Sequence, residues 1–279
     1  MSPRSLKSYI KAILRRTGLY RPDEITGPAI PGDIRDVARK ALAYAPQLEA
    51  IKAKAHPGPS FWYPYSTMDS FIPLDRLLTG ANRMILELIG GRPIADIGAA
   101  DGALAFFFET LGVKAHIIDN GPTNFNGLRG ARLLKETLSS SVEIHDIDLD
   151  SQFRLPDADF GLVFFLGVFY HLKNPYYALE QLAKRTTHCL ISTRVIQYLP
   201  DRRTRVSGGA LAYLVDERES NDDPTNFWMF TEKGLRRILA RTGWDVLDLI
   251  TVGATWRSDP ASAMGDERAY VLVKSRVAS

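Results

Sequence analysis

Hydrophobic and polar positions change their spacing near residue 92, which divides the chain into two parts. Before it, apolar positions 34, 37, 41, 44 and 48 keep the spacing of an amphipathic helix that Asp33 is placed to cap. Residues 74–89 also follow a helical period, whereas the proline-rich and aromatic residues 56–65 predict an ordered loop. We expect residues 1–60 to form a helical extension and residues 61–279 a main domain.

After residue 92, short apolar runs alternate with amphipathic stretches, as in units of strand, helix and strand. The predicted strands are residues 93–97, 115–118, 142–145, 161–165, 189–193, 245–251 and 270–274. Helices are predicted at residues 102–111, 127–137, 176–184 and 231–242. This is an α/β fold with a seven-stranded, mostly parallel sheet and helices on both faces. Ligands of such sheets bind at the carboxyl ends of the strands, so the site is expected there.

Composition excludes several classes of protein. The 279 residues are 45% hydrophobic and 24% charged, as in globular proteins rather than disordered or collagen-like ones. The single cysteine, Cys189, cannot form an intramolecular disulfide, so we expect a cytoplasmic protein. No cysteine–histidine cluster has the spacing of a zinc site, and no metal is predicted. The longest nearly apolar run, residues 160–170, is about half as long as a membrane-spanning helix.

Positive charge is concentrated at the N-terminus. Residues 1–21 contain six basic residues and no acidic one, although the whole chain has a net charge of only +3. Apolar positions 6, 9, 10, 13 and 14 form one stripe, which predicts a basic amphipathic helix. Its apolar face has three alternative partners: the rest of the chain or a second subunit in a homodimer, the inner membrane surface as a peripheral contact, or, less favoured, nucleic acid. A mitochondrial presequence has a similar composition.

The strand at residues 94–97 runs into a loop of small and acidic residues. Gly98 and Gly102 allow a ligand to approach the backbone closely, and Asp96 and Asp101 supply hydrogen-bond acceptors. An acid-rich loop without the Walker lysine repels phosphate, so a cationic or hydroxyl-rich ligand is expected. The alternative is a tight turn whose aspartates cap the following helix.

Two further acids follow the next two strands. Asp119 ends the second strand, where a carboxylate in this architecture accepts hydrogen bonds from both ribose hydroxyls. Asp146 ends the third strand and is placed to accept a hydrogen bond from an adenine amino group. The pair Asp119 and Asn120 is also common in turns, which is the alternative.

This order of acids and glycines, followed by residues 164–172, resembles the class I S-adenosylmethionine-dependent methyltransferases. Residues 164–179 are especially similar to the branch of tRNA wobble-uridine carboxymethyltransferase-like and glycan-associated methyltransferases. The resemblance covers about residue 62 to the end of the chain. It implies a Rossmann-like sheet and the cofactor S-adenosyl-L-methionine.

In that family the glycine loop holds the amino-acid part of the cofactor, and the acids after the second and third strands hold its ribose and adenine. The resemblance therefore implies cofactor contacts for Asp96, Gly98, Ala99, Asp101, Gly102, Asp119, Asn120, Asp146, Ile147, Leu166 and Gly167.

Methyl transfer mainly requires alignment of the reactants, and a base helps when the acceptor is a hydroxyl. His171, just after the fourth strand, is the candidate base and Tyr170 the second candidate; capping or packing of the next helix is the alternative role for His171. Contacts to the acceptor are predicted from the aromatic loop and from the region of the long irregular stretch 197–228. These residues are Trp62, Tyr63, Arg194, Asn226 and Trp228.

The leading hypothesis is methyl transfer to a small-molecule or sugar hydroxyl by in-line displacement. A tRNA wobble-uridine (carboxy)methyltransferase-like enzyme is one alternative, but residues 55–113 contain no lysine and only three arginines to hold a carboxylated cofactor or RNA. A non-catalytic nucleotide-binding protein on the same fold is another.

Overall fold

The computed structural model describes residues 25–58, 60–151, 154–262 and 265–278, and the predicted N-terminal basic helix lies outside them. The strands are β1 (Ile94–Ile97), β2 (Ala115–Asp119), β3 (Glu143–Asp146), β4 (Phe160–Leu166), β5 (Thr186–Val195), β6 (Ala212–Leu214), β7 (Trp228–Phe230), β8 (Trp244–Gly253) and β9 (Glu267–Ser275). The helices are α1 (Ile34–Ala55), α2 (Phe71–Leu77), α3 (Ile85–Ile89), α4 (Ala103–Thr110), α5 (Arg129–Thr137), α6 (Pro175–Ala183) and α7 (Glu232–Arg241). No helix in these ranges is long and apolar enough to cross a membrane.

The strands form one sheet with a parallel central part. Strands β3, β2, β1, β4 and β5 follow one another in parallel, and β9 then pairs antiparallel with both β5 and β8. All seven predicted strands are present in this arrangement, which confirms the predicted fold. The sheet has nine strands because the short hairpin of β6 and β7 adds to the end of β5, where Val195 pairs with Phe230.

The helix predicted for residues 74–89 is interrupted. Helix α2 begins earlier and ends at Leu77, and a 3-10 turn, Gly80–Arg83, separates it from α3. The polar side chains of this break face β8, because Thr79 Oγ1 and Asn82 Nδ2 each donate a hydrogen bond of 2.8 Å to the Asp248 carboxylate. A contact between distant segments therefore replaces the local helical pattern.

Two apolar layers cover the sheet. On one face, α1 contributes Ile34, Val37, Ala41 and Leu48 to the same buried cluster as α2 and α4. On the other face, α6 and α7 pack around Trp244, whose indole Nε1 donates to the Leu179 carbonyl. Helix α1 is thus a part of the core on its face of the sheet.

The topology brings five chain segments to one edge of the sheet. The carboxyl ends of β1 to β5 meet there because these strands are parallel. Strand β9 runs the other way, so its first residues lie at the same edge. The order of strands reverses between β1 and β4, which is where open α/β sheets form their ligand sites.

A close contact at the amino end of β4, opposite this edge, predicts a loss of stability for one small substitution. A Cβ at Gly161 in β4 would lie 1.9 Å from the Ile89 carbonyl oxygen. Gly161→Ala should therefore lower the free energy of unfolding by about 2 kcal/mol, because backbone must move to admit the methyl group. Urea unfolding measures this, with Gly208→Ala as the control, since a Cβ at Gly208 meets nothing within 4 Å. Equal stability of the two variants would show that the contact between β4 and α3 can admit a methyl group without cost.

Candidate functional site

The loop after β1 takes an unusual backbone path. Gly98, Ala100 and Gly102 all have left-handed conformations, with φ of 67°, 54° and 78°. At Gly98 a side chain is excluded, because a Cβ would lie 2.1 Å from Val168 Cγ2. The absence of a side chain lets the loop lie against the segment that follows β4. The close approach of a ligand at this glycine stays a prediction.

Asp96 is a buried acid with an unused oxygen. Asp96 is only 7% exposed, and its Oδ2 atom has no hydrogen-bond partner. Burial, and secondarily repulsion from Asp119, raises its pKa to about 7. No ion pair links Asp96 or Asp119 to a basic side chain in the described part of the chain. A cationic ligand would supply the missing partner.

Asp119 and Asp146 stand side by side at the ends of β2 and β3, where they pair in register. Asp119 accepts hydrogen bonds from the backbone amides of Ala100 and Asn120, at 3.0 and 2.8 Å, and from Asn124 Nδ2 at 2.9 Å. Burial nevertheless raises its pKa above the usual value. Three donors hold this carboxylate in one orientation, and a carboxylate has room for further hydrogen bonds.

Asp146 is the exposed member of the pair. Its Oδ1 accepts the Gly121 amide at 2.7 Å, and a side chain at position 121 would collide with its Oδ2. Ile147, which follows it, donates its amide to the Asp119 carbonyl. The predicted cofactor residue Ile147 thus takes part in the contact between the ends of β2 and β3, whereas Asn120 donates its amide to Asp119 next to it.

Asp101 differs from the other acids because its carboxylate already has internal partners. It is 2% exposed, and it accepts the Tyr63 amide at 2.8 Å and Asn126 Nδ2 at 2.8 Å. The ammonium group of Lys52, on α1, lies 3.2 Å from the same carboxylate. The sequence analysis did not identify Lys52. Its signal was its place four residues after Leu48 on the apolar stripe of α1, where a lysine must find a buried partner.

The aromatic loop covers the site from the side of α1. Trp62 is buried and donates its indole proton to the His56 carbonyl. The Tyr63 ring lies 5.5 Å from Tyr65 and 6.1 Å from Phe125, measured between ring centroids. Burial, and then the neighbouring Tyr170, raises the pKa of Tyr63 to about 12, so its hydroxyl remains protonated. Of the two predicted acceptor contacts in this loop, Tyr63 is the one directed toward the other site residues.

The segment after β4 positions His171. Gly167 has a left-handed φ of 76°, and a 3-10 turn, Phe169–His171, follows it. His171 Nδ1 lies 2.9 Å from the Thr225 carbonyl oxygen, which can only accept, so Nδ1 carries the proton and Nε2 the lone pair. Burial lowers the pKa of the imidazole below its usual 6.5. At neutral pH His171 is therefore an uncharged imidazole with Nε2 ready to accept a proton.

Arg268 is a site residue that the sequence analysis missed. It lies near the start of β9, and its guanidinium group stands 5.3 Å over the Tyr170 ring and 3.3 Å from the Tyr170 hydroxyl. It also lies 3.4 Å from the position of a Cβ at Gly167. Only the antiparallel course of β9 brings this residue to the edge, so a local motif could not reveal it.

The remaining predicted acceptor residues make internal contacts. Arg194 is buried, pairs with Asp266 at 3.0 Å and bonds to Ser220 Oγ. Asn226 is also buried and donates to the same hydroxyl at 2.8 Å. Trp228 donates to the Lys173 carbonyl at 3.4 Å. The structure places these three residues where they fasten the long stretch between β5 and β7.

Comparison with known proteins supports the fold. No family model and no curated protein matches the chain. The N-terminal domain of EvdMO1, crystallised in the presence of SAH and D-fucose, is similar at a TM-score of 0.53 and 17% identity, over 83% of this chain and 97% of that one. The same domain with SAH bound gives 0.50 and 17%, over 82% and 96%. The [4+2]-cyclase SpnF gives 0.51 and 13%, over 86% and 97%.

The chain therefore has a Rossmann-like α/β fold that it shares with these solved structures. One of them is a cyclase, so the fold by itself does not select the reaction. The reaction must be argued from the residues of the site.

The raised pKa of Asp96 predicts how pH affects stability. In the unfolded chain this carboxyl titrates near 3.8, whereas in the folded chain it titrates near 7. The folded state binds the extra proton, so the stability it contributes is lost as pH rises from about 4 to about 7. Asp96→Asn should therefore stabilise the protein more at pH 8 than at pH 5, by roughly 3 kcal/mol. Urea unfolding at both pH values measures the difference, and a pH-independent effect would contradict the burial of this charge.

Proposed function

We propose that the protein is an S-adenosylmethionine-dependent methyltransferase that acts on a hydroxyl group of a small molecule or sugar. The observation that carries the proposal is the row of carboxylates Asp96, Asp119 and Asp146 at the ends of three adjacent parallel strands. The row offers acceptors and negative charge. S-adenosylmethionine presents a sulfonium, an ammonium, two ribose hydroxyls and an adenine amino group, which are cations and donors.

The residues of the row fit this cofactor. The buried, unpartnered Oδ2 of Asp96 would gain a cationic neighbour, which offsets the cost of burying its charge. Asp119, held by three donors, would accept the ribose hydroxyls. Asp146 would accept a hydrogen bond from the adenine amino group. The EvdMO1 domain, which shares the fold, was crystallised with SAH bound.

When bound, the cofactor supplies an electrophilic methyl group attached to a good leaving group. The chain's own contribution is then alignment and proton transfer. His171 Nε2 is unprotonated and accepts the proton of the acceptor hydroxyl, while the Thr225 carbonyl fixes the tautomer through Nδ1. Tyr63 keeps its proton and would donate a hydrogen bond to the acceptor, and the rings around it limit access of water.

Arg268 favours a second candidate function, the transfer of a carboxymethyl group. That chemistry needs a cation to hold the additional carboxylate, and residues 55–113 contain no lysine. Arg268, packed on Tyr170, supplies a cation from β9 instead. Binding of S-adenosylmethionine and of its carboxylated form to wild type and to Arg268→Met separates the two functions. A preference for the carboxylated form that the variant loses supports the second.

The decisive experiment for the first function uses purified protein. Mass spectrometry identifies any cofactor that copurifies, and methyl-labelled S-adenosylmethionine is then offered with a panel of sugars, small hydroxyl compounds and tRNA. Label in a sugar or small hydroxyl compound supports the proposal. Tight cofactor binding without transfer to any member of the panel would favour a nucleotide-binding protein on this fold.

We predict that Asp119→Ala weakens S-adenosylmethionine binding by about 1–3 kcal/mol, because both ribose hydroxyls lose a charged acceptor. Isothermal titration calorimetry measures the affinity. Asp148→Ala is the matched control, since that exposed aspartate lies beyond the end of β3 and, among the bonds described, its carboxylate accepts only the Asp150 amide. Unchanged affinity in folded Asp119→Ala would remove the ribose assignment.

For His171→Gln we expect roughly 100-fold slower turnover with unchanged cofactor affinity, from the usual size of general-base effects. In the wild type the rate should fall on the acid side only below pH 6.5, because burial lowers the pKa of the imidazole. The variant should lose this acid limb. A variant rate within threefold of the wild-type rate would show that His171 is not the general base and that its role is packing.

A further inference from the structure

Three potential metal ligands meet on the sheet away from the carboxylate row. They are His116 on β2 and Glu143 and His145 on β3. His116 pairs in register with Glu143, and Glu143 and His145 are two residues apart, so all three side chains lie on one face. Residues 147–151 and 154–159, which lead from β3 to β4, contain no helix. Glu143 and His145 accordingly remain partly exposed.

The three ligand atoms are spaced as the ligands of one small cation are. His116 Nδ1 lies 3.0 Å from His145 Nε2, and each nitrogen lies 3.7 Å from Glu143 Oε2. The point equidistant from the three atoms is about 2.0 Å from each, and zinc binds imidazole nitrogen and carboxylate oxygen at about 2.0–2.2 Å. An ion therefore requires little movement of the side chains.

The pairing and the exposure of these groups also suit a metal. The carboxylate divides its two oxygens, since Lys114 binds Oε1 at 2.9 Å and Oε2 faces the imidazoles. Imidazole nitrogens and a carboxylate oxygen are ligand types that zinc binds in proteins. His116 is held rigidly, with 3% of its side chain exposed, whereas His145 and Glu143 are 24% and 43% exposed and give an ion access.

We propose that His116, Glu143 and His145 bind one Zn²⁺ ion, with water completing a tetrahedral site. Two imidazoles and one carboxylate select a borderline cation such as zinc over Mg²⁺ or Ca²⁺, which prefer oxygen ligands. The ion cross-links β3, an edge strand of four residues, to β2. Because β3 ends at Asp146, the zinc holds in place the strand that carries the last acid of the row.

The test uses the full-length, untagged chain stripped of metal with a chelator, without cofactor, so that its result is independent of the proposed function. Calorimetry with ZnCl₂ should give one ion per chain, and the thermal midpoint should rise with zinc concentration. MgCl₂ should have no effect at the same concentration. Absence of stoichiometric zinc binding would overturn the proposal.

Variants locate the ion. His145→Gln and Glu143→Gln should each weaken zinc binding more than about 100-fold, because each removes a direct ligand rather than an outer partner. Lys114→Gln is the matched control: it breaks the ion pair with Glu143 but keeps all three ligands, so zinc affinity should stay within about threefold. Circular dichroism verifies that each variant folds. Zinc binding that survives both ligand substitutions would overturn the proposed site. The close contact of His116 and His145 in the wild type would then be a hydrogen bond only.

Discussion

The buried carboxylate of Asp101 is the constraint on which the rest of the site depends. Removing this charge from water is costly, and only the combination of the Lys52 ammonium with the Tyr63 amide and Asn126 Nδ2 offsets that cost. Each partner comes from a different segment of the chain. Helix α1, the aromatic loop and the loop after β2 therefore cannot move independently of the loop that follows β1. Helix α1 therefore belongs to the site as well as to the core.

Asp96 and Asp101, five residues apart, illustrate opposite solutions to the same electrostatic problem. The negative charge of Asp101 is compensated within the protein by the Lys52 ammonium group. Asp96, in contrast, is buried with one oxygen unpartnered and a pKa raised to about 7. A charge compensated internally stabilises the framework, and a charge left uncompensated is available to a ligand. The chain accepts lower stability at Asp96, as proteins often do at functional sites.

The parts predicted from sequence depend on short-range patterns, and the parts missed depend on distant contacts. Seven strands followed from apolar runs, but the three-residue strands β6 and β7 carry too few positions for any period. The break between α2 and α3 depends on Asp248, more than 160 residues away. Arg268 reaches the site only through the antiparallel pairing of β9, and His116 meets His145 only across two strands. The spacing of residues along the chain does not predict such contacts between distant segments.

The carboxyl edge of the sheet has an electrostatic division that follows its topology. Carboxylates lie at the carboxyl ends of β1, β2 and β3, the one on β1 at its penultimate residue. The neutral imidazole of His171 follows β4, and the guanidinium of Arg268 lies near the start of β9. The reversal of strand order between β1 and β4 separates the two groups. A ligand with a positive centre is attracted to the first half, and a group that must lose a proton or carries negative charge to the second. In the proposed reaction, this strand order would bring the cofactor and the acceptor together from the two halves of the edge. The loops that hold Tyr63 and Gly98 lie between these halves.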